Sequence, residues 1–207
     1  VSARGETAWI DVSGLPTTTF GHRDLGWWAT VGFIAIEGTT LFIFIVSYFY
    51  LRRDFQHWPP YGTPAPGLVA PAIQVGLMLL SWIPMRLCDR AARRFDAAAV
   101  RRWMVVLTLF AVAFCVVRWF ELTALRTRWD TNAYGSIAWL TLLTHATLLV
   151  VEACETATMT AVFLFTDPSE RYFSDTSDNA LYWYFMTGIW IVLAAMVYLT
   201  PYVASHP

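Results

Sequence analysis

Six ionisable side chains stand inside stretches that are otherwise apolar: Glu37, Arg118, Glu121, His145, Glu152 and Glu155. Carboxyls and a single imidazole in such surroundings can hold and pass protons, or can hydrogen-bond one helix to another. They suit a metal poorly. His145 is the only histidine within an apolar run, with His22, His57 and His206 lying outside, so a haem held by two histidines or a copper site with several imidazoles is excluded. Cys88, Cys115 and Cys154 stand alone, without metal-ligand spacing, and read as reduced core thiols.

Spacing places these groups. At 100° per residue, Glu152 falls about 20° and Glu155 about 80° from His145 around one helix, so the three share a polar sector within an apolar span. An ionised group facing lipid near the bilayer centre costs at least about 2.5 to 3.5 kcal/mol, so that sector is expected to face protein, water or a cofactor. Glu37 lies among Phe33, Ile34, Leu41 and Phe44, about 15 Å into its own span, and Glu155 lies at a similar depth, so the two carboxyls can meet. Burying charge there is costly, which favours a proton-holding form, fit either for proton handling or for interhelical hydrogen bonding. Arg118 and Glu121, three residues apart, are expected to form an ion pair close to the membrane interface.

The elements that position these residues follow from hydropathy. The chain has 207 residues, is 57% hydrophobic and has a mean hydropathy of +0.49, too apolar for a water-soluble domain. Eleven Trp and nine Tyr, many at the ends of apolar runs, fit headgroup-level anchors. The expected fold is an all-α integral membrane protein, a single domain over residues 1 to 207. Five runs can cross a hydrocarbon core, at about 27 to 51, 68 to 87, 103 to 125, 136 to 165 and 179 to 203. Residues 1 to 24 lack the pattern of a secretory signal, so the first apolar run is expected to target as well as span.

All fourteen basic residues are arginine. With the N-terminus in the cytoplasm, Arg4, Arg23, Arg86, Arg90, Arg93, Arg94, Arg101, Arg102 and Arg171 lie inside, nine against the four outside, Arg52, Arg53, Arg126 and Arg128. The positive-inside rule therefore predicts a cytoplasmic N-terminus and a periplasmic C-terminus. Arg86, Arg90, Arg93, Arg94, Arg101 and Arg102 flank one connection and are candidate contacts for lipid headgroups. A net charge of −1 predicts no nucleic-acid partner.

The order of motifs resembles subunit III of the haem-copper respiratory oxidases of the cytochrome c oxidase type, in its short, five-helix form. The residues that carry it are Glu37 followed by Phe42, Phe44, Tyr48 and Phe49, then Trp58-Pro59-Pro60; Arg118-Trp119-Phe120-Glu121; Tyr134-Gly135-Ser136 with His145; and Tyr182-Trp183-Tyr184-Phe185 with Trp190. It spans about Trp27 to Tyr202. The branch is divergent: the family's second histidine falls on Leu148, its last-helix His and Asp fall on Tyr184 and Thr187, and Glu152 and Glu155 are not family features.

The resemblance implies a lipid-binding bundle without a redox centre of its own. It would pack in a bacterial inner membrane on a catalytic subunit I that holds the haems and copper, and would support proton supply through Glu37 near the cytoplasmic entrance. Two alternatives remain: an accessory subunit of another respiratory complex, such as a nitric oxide reductase or a quinol oxidase, and a small proton-coupled transporter. The transporter reading calls for inverted repeats or interrupted helices, and the sequence has neither.

Overall fold

The computed structural model describes residues 18–203; Arg4 and His206 lie outside the described residues. The described chain is all-helical, and five helices are long and apolar enough to cross a bilayer: α1 (Leu25–Arg53), α2 (Val69–Ala92), α3 (Ala97–Ala124), α4 (Ala133–Phe165) and α5 (Glu170–Val203). Side-chain oxygens start three of them. Asp24 accepts from Gly26 N (3.2 Å), Asp96 from Ala99 N (3.0 Å) and Asn132 from Gly135 N (2.9 Å), each satisfying an amide that the first helical turn leaves free.

Helix α5 packs against α1, α2 and α4, while α3 joins α2 to α4. Half of the apolar window of α5 is buried, against 6% of that of α1. The outer flank of α1, with Phe33, Ile36, Phe42, Ile43 and Val46, is therefore bare.

Three of the helices, α2, α3 and α5, reach well beyond the apolar runs that marked them. α2 and α3 are separated by only Arg93 to Asp96, so Arg86 and Arg90 stand on α2 and Arg101 and Arg102 on α3 rather than in a loop. Phe95 closes this turn with φ 54°, a left-handed conformation that costs a residue with a side chain. Its ring packs edge-on against Phe20 and Phe173, and Phe163 also meets Phe173, so an aromatic cluster closes the arginine-rich end of the bundle. Likewise α5 starts at Glu170, and the polar stretch Asp175 to Asp178 is helical.

At the opposite end a second network is built around a proline. In α5 the helix loosens to a π-helical turn over Ala195–Leu199, where Thr200 N–H reaches back five residues to the Ala195 carbonyl. Pro201 has no N–H to offer the carbonyl four residues before it, Val197, and Tyr134 OH donates to that oxygen instead (3.0 Å). Thr200 Oγ1 takes the Met196 carbonyl (2.6 Å) and receives Tyr48 OH, which in turn accepts Trp58 Nε1 (2.7 Å). The Tyr48, Trp58 and Tyr134 rings meet edge to face. Removing the Tyr134 hydroxyl strands a buried carbonyl, so Tyr134→Phe should cost about 1 to 3 kcal/mol. In a Pro201→Ala background, where an N–H can take Val197 O, the cost should drop to less than about half of that. Thermal unfolding in detergent reads both; an equal cost in the two backgrounds would refute the proline explanation.

Candidate functional site: a buried arginine cluster and a carboxyl groove

The polar residues within the spans separate into a sealed cluster and an open groove. The cluster is centred on Arg118, about 9 Å in from the end of α3. Its Nη1 meets Glu121 Oε2 at 2.9 Å, its Nη2 meets His145 Nδ1 at 2.9 Å, and its guanidinium lies over the Trp190 ring, 3.7 Å from the centroid. The His145 and Trp190 rings are 4.9 Å apart. Tyr198 OH donates to the Glu121 carbonyl (2.9 Å). Arg118 is 3% exposed and Glu121 and His145 are 0% exposed. The ion pair expected from spacing is formed, and it is enclosed, because α4 and α5 bring an imidazole and an indole over it.

The cluster fixes the state of His145. Guanidinium nitrogens only donate, so Nδ1 must accept, and the Met186 carbonyl 3.0 Å from Nε2 can only accept, so Nε2 carries the hydrogen. His145 is a neutral imidazole with both nitrogens engaged. Neither is free for a metal or for proton transfer without breaking a buried hydrogen bond. Among the described residues no group of three or more His, Cys, Asp or Glu could hold a metal ion.

The groove lies between α1, α4 and α5, encloses about 400 Å³ and extends from Gly26 and Tyr172 to Glu37 and Val151. Carboxyls line it at increasing depth. Asp24 lines an adjoining pocket that shares Gly26, Ala29 and Asp175 with the groove, and it accepts from Ser174 Oγ (2.6 Å). That hydroxyl bond, with the helix-start amides of Gly26 and Leu25 behind it, holds the Asp24 carboxyl below its ordinary value, so Asp24 is anionic at neutral pH. Asp175 and Asp178 follow, about 8 and 12 Å from the start of α5, then Glu155, about 15 Å from the end of α4. Glu37 is deepest of these, about 18 Å from the start of α1, where Tyr182 OH donates to its Oε2 at 2.6 Å. Gly26 keeps the mouth narrow: a Cβ there would stand 2.9 Å from Asp178 Oδ2.

The polar sector expected on α4 is divided between these two places. His145 belongs to the sealed cluster, while Glu155 is exposed to the groove beside Glu37. Between them Glu152 is buried, its Oε1 accepting Asn179 Nδ2 (2.9 Å) and Thr156 Oγ1 (3.2 Å). The hydrogen-bond partner of Glu37 is Tyr182, and both Glu37 and Glu155 line the same groove. Sequence reasoning missed Asp175 and Asp178 because the apolar run that marked this helix begins only at 179. The available signal was the spacing Asp175, Asp178, Tyr182, which at three and four residues keeps one helical face.

The arginines at the mouth also divide. Arg93 pairs with Asp89 (3.0 Å) and donates to Ser177 Oγ (2.7 Å), tying α2 to α5, and Arg101 Nε caps α4 through the Phe163 carbonyl (2.7 Å). Arg86, Arg90, Arg94 and Arg102 are exposed and have no ion-pair partner among the described residues; Arg86 and Arg90 border a separate surface groove with Trp82 and Tyr184.

Every motif behind the family likeness lies in one of these sites. Glu37 and Tyr182 are in the groove, Arg118, Glu121, His145 and Trp190 in the cluster, and Trp58 and Tyr134 in the network at the opposite end. Comparison of the whole sequence with known proteins agrees. The chain resembles cytochrome c oxidase subunit 3. It is 25% identical to the protein of that name from Synechocystis sp. over 190 residues, covering 86% of this chain and 77% of the relative. No protein-family model matches the chain. The likeness and the five apolar helices make it an integral membrane protein.

The buried cluster yields a test of its own. Arg118→Met leaves Glu121 without its cation and His145 without a donor, and should destabilise the bundle by about 3 to 5 kcal/mol. Adding Glu121→Gln, which removes the stranded charge, should recover part of that loss. Thermal unfolding of the two variants decides, and a double variant no more stable than the single one would argue against an electrostatic cause.

Proposed function

We propose that the chain is a non-catalytic subunit of a haem-copper respiratory oxidase in a bacterial cytoplasmic membrane. It packs on the haem- and copper-bearing subunit, binds phospholipid at its arginine-rich end and supports proton uptake there. The likeness to cytochrome c oxidase subunit 3, which extends over most of both chains, carries this reading. The groove adds a physical role to it. The arginine count of the sequence, nine against four, favours a cytoplasmic N-terminus, and Gly26 near the start of α1 lines the carboxyl groove.

In this reading Asp24, Asp175 and Asp178 raise the local proton concentration at the mouth, and Glu155 and Glu37 receive protons deeper in the span. Tyr182 holds the Glu37 carboxyl in place by donating to Oε2, which leaves Oε1 to take or release a proton. A carboxyl groove at bilayer depth is poorly covered by lipid tails, so the partner subunit is expected to lie over it, along the bare flank of α1.

Glu37→Gln keeps the size and most of the hydrogen bonding of the side chain but removes its titratable proton. The assembled complex should form normally and turn over more slowly, or inactivate faster during turnover, with the deficit growing as the pH on the cytoplasmic side is raised. Glu37→Ala should in addition loosen association, by about 1 to 3 kcal/mol. A cysteine at the exposed Ala98, reacting with an impermeant thiol reagent only from the cytoplasmic face, confirms which side that is. If Glu37→Gln matches the unmodified complex in oxygen consumption and lifetime from neutral to high pH, Glu37 is interhelical packing only.

A further inference from the structure

Glu152 stands behind the wall of the carboxyl groove, about 20 Å from the end of α4 and one turn deeper than Glu155. It is 1% exposed and forms no ion pair among the described residues. Its Oε1 accepts both Asn179 Nδ2 and Thr156 Oγ1, while Oε2 is buried with no hydrogen-bond partner. Asn179 belongs to both places. It holds Glu152 and it lines the groove, although it is itself only 4% exposed, and its Oδ1 is also buried and unpartnered. A carboxyl and an amide already bonded to each other therefore each keep an unused oxygen.

The titratable groups that act on Glu152 are Glu155 on its own helix, Glu37 of α1 and Tyr182 of α5, and none of them is a cation. A carboxylate buried without a counter-ion is costly, and a proton removes that cost. Glu155, three residues along α4, is its neighbour on the helix surface and lines the groove.

The amide suits both charge states of the carboxyl. An asparagine side chain carries a donor arm and an acceptor arm, and turning it over exchanges them. With Nδ2 toward Oε1, Asn179 matches ionised Glu152; with Oδ1 there instead, it accepts the O–H of the neutral acid. Thr156 donates to Oε1 in either case, and neither helix has to move. The bare Oε2 then belongs to a neutral acid, where it costs less than on a carboxylate. A carboxyl kept only to tie α4 to α5 needs one of these states, and an amide at the groove wall serves the two.

We infer that Glu152 is the inner proton store of the groove and that Asn179 is its positioning residue. Glu155 passes its O–H proton to ionised Glu152, so Glu155 becomes the carboxylate and Glu152 the neutral acid, and Asn179 turns Oδ1 toward the new O–H. Glu155 then takes a proton from hydronium in the groove, leaving water. The inference rests on the groove being the proton route of the proposed function and adds the site at its inner end.

Infrared pH-difference spectra of the protein as isolated from its native membrane, taken at rest, test it. The carboxylic-acid C=O band of Glu152 is assigned by its loss in Glu152→Gln, and it should appear as the pH is lowered and vanish as it is raised. In heavy water the O–H becomes O–D. Asn179→Leu removes both arms of the amide and should slow that exchange roughly tenfold, the effect of one lost hydrogen bond to a charged group. Asn179→Ser keeps a hydroxyl that can donate or accept; it should shift the band because the partner has changed, and it decides the matter if the leucine variant does not assemble. No Glu152 band, a band of constant intensity from mildly acid to strongly alkaline pH, exchange at the native rate in Asn179→Leu, or a band unmoved by Asn179→Ser each overturns the inference. The spectra need no turnover, so slower turnover of Glu37→Gln beside an unresponsive Glu152 band would refute this inference alone. A responsive band in a chain recovered without an oxidase would instead uphold it and refute the oxidase reading.

Discussion

A guanidinium within a bilayer must find acceptors in protein, since the hydrocarbon supplies none. Arg118 finds a carboxylate on its own helix, an imidazole on α4 and an aromatic face on α5, and these contacts hold three helices in one relative placement. A carboxylate alone would leave the cation half satisfied. The His145 contact further requires Nε2 to donate to a carbonyl of α5, so the orientation of one ring couples α3, α4 and α5. The enclosure is demanding in that removing any member leaves a buried charge or dipole unmatched, which costs more than the intact cluster contributes. The proline-freed carbonyl of Val197 imposes the same demand at one end of α5, and Tyr134 of α4 answers it.

These constraints separate structural polarity from available polarity. In the Arg118 cluster the contacts lie within the chain and are enclosed by it. In the groove, Glu155 is exposed and Glu37 has one oxygen held by Tyr182. Groups that are positioned and accessible are the ones that can exchange protons or receive a partner. This is why the proton-handling proposal rests on the groove even though the cluster is the more deeply buried of the two.

Much of this was legible in the residues. Apolar run length marked the five helices because a bilayer demands about 20 apolar residues per crossing, a requirement that leaves a strong trace in sequence. The order of Glu37, Trp58-Pro59-Pro60, Arg118 to Glu121 and Tyr134 to His145 carried the family likeness. Helix ends were less visible: α5 begins at Glu170, before its apolar run, because a helix may project past the hydrocarbon into the headgroups with polar residues such as Asp175 and Asp178. Partners across helices were the least legible. Spacing on α3 paired Arg118 with Glu121, but nothing in the local sequence revealed that His145, 27 positions later, and Trp190 would close over them. Helical periodicity gives the face of a residue and leaves open which neighbour that face meets.

The central claim is association with a haem-bearing oxidase subunit, and isolation of the chain from its native membrane in a mild detergent tests it most directly. Carrying an affinity tag, the chain should bring with it a haem-containing partner of about twelve spans and an oxygen-reducing activity, with the haem absorbance remaining on the partner when the subunits are separated. Recovery of the chain alone, with no haem protein in any mild extraction, would contradict the account.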